Sequence, residues 1–157
     1  MNAARRALAI AALALLPGLA PAGAPPGSNL LYSNRDRSLA ITAWGGARAN
    51  GALRLHNGCA PSNGDCVWVY RGGLLYSGRD PTLAVKAESL SHGAGVILAT
   101  GCSRGVAGCT WIYRDGMFLS ETDTRLAISA LGGARFGTTL KLSNLCRSND
   151  LDCKWSR

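Results

Sequence analysis

Histidine is scarce in this chain: His56 and His92 are the only two, and they lie in different parts of the sequence. That scarcity removes most zinc chemistry and leaves no Ser/His/Asp spacing. No paired-carboxylate motif recurs to replace it. The sequence therefore predicts no catalytic residue, no metal site and no cofactor, and the chain is read as a non-enzyme. Aromatic residues make up 6%. Apart from the adjacent Arg5 and Arg6, the Arg and Lys side chains behind a net charge of +8 stand singly among Gly, Asn and Asp. With no basic run and no stacked aromatic strip, a nucleic-acid partner has little support. A weak attraction to anionic surfaces or acidic glycans stays compatible with this charge; a solvated surface is the plainer reading. Helical periodicity never lasts more than one turn, which points to an all-β chain.

Beyond the first two dozen residues no apolar run approaches the length of a membrane span. Residues 1–22 read as a secretory signal: Arg5 and Arg6 supply the charge, Ala7–Leu16 the apolar stretch, and Ala20-Pro21-Ala22 a small-x-small cleavage site. Residues 23–28 form a short tail. Cleavage leaves a charge of about +6 and about 135 residues, enough for one domain with one core. The expected location is outside the cytoplasm, extracellular or periplasmic.

From residue 29 to 157 the chain repeats itself three times, over 29–73, 74–116 and 117–157. Leu31-Tyr32-Ser33 returns as Leu75-Tyr76-Ser77 and Phe118-Leu119-Ser120. Ser38-Leu39-Ala40-Ile41 returns as Thr82-Leu83-Ala84-Val85 and Arg125-Leu126-Ala127-Ile128. A fixed period of about 44 residues marks one supersecondary unit used three times. Within repeat 1, Leu30–Ser33, Ser38–Ala43, Ala52–His56 and Val67–Tyr70 read as short strands bounded by turn residues. Leu39, Ile41, Ala43, Leu53 and Leu55 face inward. Arg71-Gly72-Gly73 and Arg114-Asp115-Gly116 are the tight turns into the following repeats. Three four-stranded repeats predict a β-trefoil, a barrel capped by three hairpins.

Each repeat carries one Cys-x6-Cys pair. Six cysteines in a secreted chain imply disulfides. Pairing within repeats, Cys59–Cys66, Cys102–Cys109 and Cys146–Cys153, is the simplest of the fifteen connectivities; closing each eight-residue ring stabilises by about 2–2.5 kcal/mol. Trp68, Trp111 and Trp155 follow two residues later and read as three equivalent core plugs, with sugar stacking as the competing role.

An apolar–x–apolar run before a cysteine, then a polar loop, then x-x-Trp, three times over, resembles the ricin B-type lectin trefoil and its Gln-x-Trp signature. The resemblance covers essentially all of 29–157. It implies a carbohydrate-binding module whose pockets need an Asp on the second strand, an aromatic ring near the end of the third, and an Asn just before the Gln. Here the Gln position holds Cys66, Cys109 and Cys153, giving Cys-x-Trp. The Asp position holds Ala40, Ala84 and Ala127; the ring position His56, Thr100 and Ser143; the Asn position Asp65, Gly108 and Asp152. Only repeat 1 keeps a planar ring. The family's disulfide runs from an early cysteine to the one before the loop. Ser38, Thr82 and Arg125 stand near that early position, so the bridge is rewired.

Three groups of residues are candidates for ligand contact. Arg54, His56 and Asp65 converge if Leu53 and Leu55 point inward. The loop Trp44-Gly-Gly-Ala-Arg48 pairs an aromatic ring with a cation, and plain packing competes because Leu131 replaces the Trp in repeat 3. Asp36, with Asp80 and Asp123, is the acidic position kept in every repeat, and a turn-stabilising role is the simpler reading. The expected partners are glycans or glycoproteins. The alternative is a protein-binding trefoil, such as a protease inhibitor or the receptor-binding component of a toxin. The short loops count against an inhibitor.

Overall fold

The computed structural model describes residues 28–157. The predicted signal segment, and the tail except its last residue, lie outside them. Thirteen short strands form three sheets. The first orders β1 (Ser28–Leu30), β5 (Val67–Arg71), β6 (Leu74–Ser77), β7 (Ala84–Ala87) and β8 (Val96–Ala99). The second orders β12 (Lys141–Ser143), β11 (Ala127–Ser129), β10 (Met117–Ser120) and β9 (Trp111–Arg114). The third orders β13 (Trp155–Ser156), β2 (Tyr32–Ser33), β3 (Ala40–Ala43) and β4 (Leu53–His56). All pairings are antiparallel, and the Trp155↔Ser33 register joins the last strand to the first repeat. The expected β-trefoil of three four-stranded repeats is what the chain forms.

The strand count exceeds twelve because the stretch read as one strand, Leu30–Ser33, is divided at Leu31. Residues on one side of it ladder with β5, and residues on the other with β13 and β3. In the later repeats the same exchange uses single bonds: Trp111 N donates to Gly73 O and Trp155 N to Gly116 O, each at 2.7 Å. The connecting turns behave as their sequences predict. Gly72 and Gly73 have φ of 60° and 82°, and Asp115 and Gly116 have 53° and 82°. Both central positions of such a hairpin need positive φ, which Gly-Gly and Asp-Gly supply.

The inward residues are those expected. Leu53, Leu55, Val96, Leu98, Leu140 and Leu142, two from each hairpin cap, are fully buried together. The caps also bond one another through the backbone: Leu140 N to Leu53 O, Leu98 N to Gly51 O, Leu142 N to Ala94 O. Trp68, Trp111 and Trp155 are buried, and their indole N–H groups donate to Ile41 O, Val85 O and Ile128 O at 2.9, 3.0 and 3.1 Å. Each indole is thus a core plug that ties the end of one repeat to its own second strand, where no sugar can reach it.

The three disulfides pair within repeats, with Cα separations of 5.6, 5.5 and 5.9 Å, and no described cysteine is free. Cys66 and Cys153 end one-turn 3₁₀ segments, Gly64–Cys66 and Leu151–Cys153, whose caps are the side chains of Asn63 and Asp150. The one cluster of metal-ligating residue types among the described residues, Cys146, Asp150 and Cys153, is this bridge and cap. Its sulfurs are bonded to each other.

Candidate functional site

The first turn of every repeat is built the same way. Asp36 Oδ1 accepts from Ser38 N at 3.0 Å and Ser38 Oγ at 2.7 Å, and Asp80 does the same with Thr82. Asp123 accepts from Arg125 N and from its guanidinium. These bonds favour the carboxylate, so all three groups are held below their ordinary value of 3.8. The first cause is the side-chain donor at Ser38, Thr82 or Arg125 and the next the backbone N–H. The geometry gives Asp36 the turn role.

Repeat 1 presents a cleft of about 390 Å³ between its hairpin cap and its disulfide loop. Thr42, Trp44, Gly46, His56, Asn63 and Asp65 border it. It therefore brings together three of the residues singled out in the sequence: Trp44, His56 and Asp65. Arg54 stands behind them, its guanidinium carbon 5.0 Å from the centre of the Trp44 ring, which is a cation–π distance. Its Nε is buried with no hydrogen-bond partner among the described residues. Arg48 does not border the cleft; its guanidinium donates to Gly45 O at 2.6 Å and holds the glycine loop closed. The fully buried Ala40 does not border it either, so the β3 residues at its wall are Thr42 and Ala43.

Each ring at the cleft is held in place. His56 Nδ1 accepts from Gly58 N at 2.7 Å, which leaves Nε2 as the N–H donor. A Cβ on Gly58 would stand 2.6 Å from His56 Cε1, so this glycine is required for the ring's position. Phe136, from the loop of repeat 3, packs on both rings, 5.7 Å from Trp44 and 5.2 Å from His56 between centroids, and Trp44 and His56 are 6.0 Å apart. Phe136 is nevertheless 57% exposed. It was not among the sequence candidates, although a large apolar side chain between Arg135 and Gly137, inside a polar turn, was a visible signal.

Asp65 is already engaged. Its Oδ1 accepts from Ala47 N at 3.0 Å and from Arg79 Nε at 2.6 Å, while Oδ2 has no partner among the described residues. The carboxylate thus fastens the glycine loop to the disulfide loop and keeps one oxygen for another donor. Asp152 repeats the arrangement with Ala134 N and Arg35. At the ring position of the other repeats, Thr100 is exposed and Ser143 buried; neither offers a flat face.

No protein-family model matches the chain, and no curated protein matches its sequence. Solved structures do match its shape. The C-terminal half of an earthworm R-type lectin, in complex with GalNAc, superposes with a TM-score of 0.67 over 83% of this chain and 97% of that one, at 10% identity. ThreeFoil, a designed threefold-symmetric protein, gives 0.66 at 15% identity, covering 82% of this chain and 96% of the design. The Abrus precatorius agglutinin gives 0.67 at 16% identity, with 85% of this chain spanning 47% of that one. These likenesses establish the fold: a divergent β-trefoil of the kind found in R-type lectins.

Proposed function

We propose that this chain is a secreted carbohydrate-binding module without catalytic activity, and that its site is the cleft beside Trp44. The observation that carries the reading is the cleft's composition. Trp44 and His56 are fixed rings, Phe136 buttresses both, and the free Oδ2 of Asp65 and the Asn63 side chain stand across from them. A sugar presents an apolar C–H face to a ring and hydroxyl hydrogens to a carboxylate. A pocket with a few oriented polar groups beside aromatic surface suits that chemistry. Arg54, lying over the back of Trp44, orients the indole rather than touching the ligand.

The fold supports the reading by analogy, since its neighbours include an R-type lectin bound to GalNAc. The test is a glycan array probed with the protein and with Trp44→Ala. The expected result is weak, selective binding of neutral saccharides that the variant loses. Silence across the array would favour the protein-binding trefoil instead.

A further inference from the structure

A second and larger cleft, of about 560 Å³, opens at the seam between repeats 2 and 3, away from Trp44. Its floor includes Met117, Leu119 and Cys146, part of a small apolar cluster separate from the main core. Its rim carries Arg114, Arg125, Arg147 and His92. One carboxylate, Asp123, lines it, and both its oxygens already meet Arg125, at 3.0 and 2.9 Å. Arg114 and Arg147 form no ion pair with the described residues, and the Arg147 guanidinium donates only to the adjacent Cys146 O, at 3.4 Å. His92 Nδ1 accepts from Asn144 N at 3.4 Å, so Nε2 is the donor. Three guanidinium groups therefore face one occupied carboxylate.

The threefold repeat shows which of these residues the fold does not need. Leu119 stands where the other repeats have Tyr32 and Tyr76, Arg125 where they have Ser38 and Thr82, and Arg147 where they have Ala60 and Ser103. At the seam between repeats 1 and 2, Arg71, the counterpart of Arg114, lies over the Tyr76 ring at 5.6 Å. In repeat 3 the ring is gone, two cations are added, and all three changes border one cleft. Three departures from a repeat that folds without them, meeting at a single concavity, mark a recognition site rather than a packing requirement.

We propose that this cleft binds an acidic saccharide. Guanidinium forks pair with carboxylate or sulfate oxygens in two-point geometry, and a cleft of one charge sign concentrates anions at its mouth. The apolar floor lies against the C–H face of the sugar ring. This site is independent of the Trp44 cleft, so Trp44→Ala leaves it intact.

The test is an NMR titration of the protein with galactose 6-sulfate, galacturonate and galactose, at about 50 mM salt where exposed charges are little screened. Both acidic sugars should bind at least about tenfold more tightly than galactose, shifting the Arg114 and Arg147 side-chain resonances; the stronger of the two tells a sulfate ester from a carboxylate as the natural group. Arg125→Thr with Arg147→Ser should remove that preference, as should Leu119→Tyr, which restores the ring. The pair Arg37→Ser and Arg104→Ser removes the same charge outside the cleft and should bind as the native protein does; each variant's thermal midpoint reports its folding. Equal binding of galactose and the acidic sugars would overturn the proposal. So would equal weakening by the two double substitutions, or loss of acidic-sugar binding in Trp44→Ala.

Discussion

Arg79 and Asp65 join two repeats at a single point, with Nε 2.6 Å from Oδ1 and the Ala47 N–H on the same oxygen. Arg35 and Asp152 make the corresponding joint between repeat 3 and repeat 1, at 3.3 Å. At the remaining seam the positions hold Gly108 and Thr122, so cation and carboxylate are lost together. There only the backbone bond common to all three seams remains, Glu121 N to Thr110 O at 3.0 Å, while within repeat 2 Ala87 N donates to Gly108 O at 2.9 Å. A Cβ on Gly108 would stand 2.9 Å from Ala87 O, and φ is +79°.

Asp65 should therefore matter to both stability and binding. Removing a largely covered carboxylate that accepts two bonds costs about 1–3 kcal/mol, so Asp65→Ala should unfold at lower urea and lose the Trp44 site. Arg79→Ala, which removes only an exposed partner, should cost less than about 1 kcal/mol. Asp152→Ala should match Asp65→Ala in urea yet bind normally at the Trp44 cleft.

Trp68 and Trp44 should separate the two roles of tryptophan. Trp68→Phe removes the bond to Ile41 O and leaves a gap in the core, an expected loss of about 2–4 kcal/mol without loss of ligand affinity in protein that remains folded. Trp44→Ala should lower stability less and abolish binding. Unfolding curves and a binding isotherm on each variant check the contrast.

His56→Ala should abolish binding at the Trp44 cleft while the fold persists, because the ring stands on the outer face opposite the inward Leu55. Thr100→Ala should bind as the native protein does, since no residue of repeat 2 borders that cleft. If His56→Ala bound normally, the lectin-style pocket would be the wrong description of the site.

Acid should weaken the three first turns together. Each Asp has a folded value below 3.8, so its contribution to stability is complete above that pH. It is lost as the pH falls below 3.8 through the folded values. Thermal midpoints taken at pH 5, 3.5 and 2.5 should fall more steeply for the native protein than for the triple variant Asp36→Asn, Asp80→Asn, Asp123→Asn.

Disulfide mapping should return three local bridges. Cleavage at Arg71 or Arg79 should release repeats with no covalent link between them, and unreduced protein should contain no alkylatable thiol. A peptide joining Cys59 to Cys102 would contradict the pairing.

The repeat made the fold legible. Period, strand patterns, disulfides and tryptophan plugs were all readable because each recurs, and recurrence tracks what the barrel needs. The division at Leu31 was not, since a strand that changes partners keeps the same residue pattern. Of the residues that border the Trp44 cleft, Trp44, His56 and Asp65 were singled out by position, but Phe136 reaches them from another repeat, and contacts across repeats leave no spacing to read. Arg54 illustrates a different limit. Its outward direction was expected, yet its place behind Trp44 depends on how far the glycine loop folds over, which alternation along a strand does not encode.

Each disulfide closes a ring between residues seven apart and crosses no repeat boundary. A unit that contains its own bridge can be copied, shuffled or lost without orphaning a thiol in its neighbours. It can also be oxidised correctly as soon as its last few residues emerge, before any partner unit exists. Covalent closure is thus separated from assembly: the bridges are settled one segment at a time, and the barrel is left to noncovalent contacts alone. A scaffold arranged in this way tolerates divergence in one repeat, such as the arginine cleft of the third, without misdirecting the oxidation of the other two.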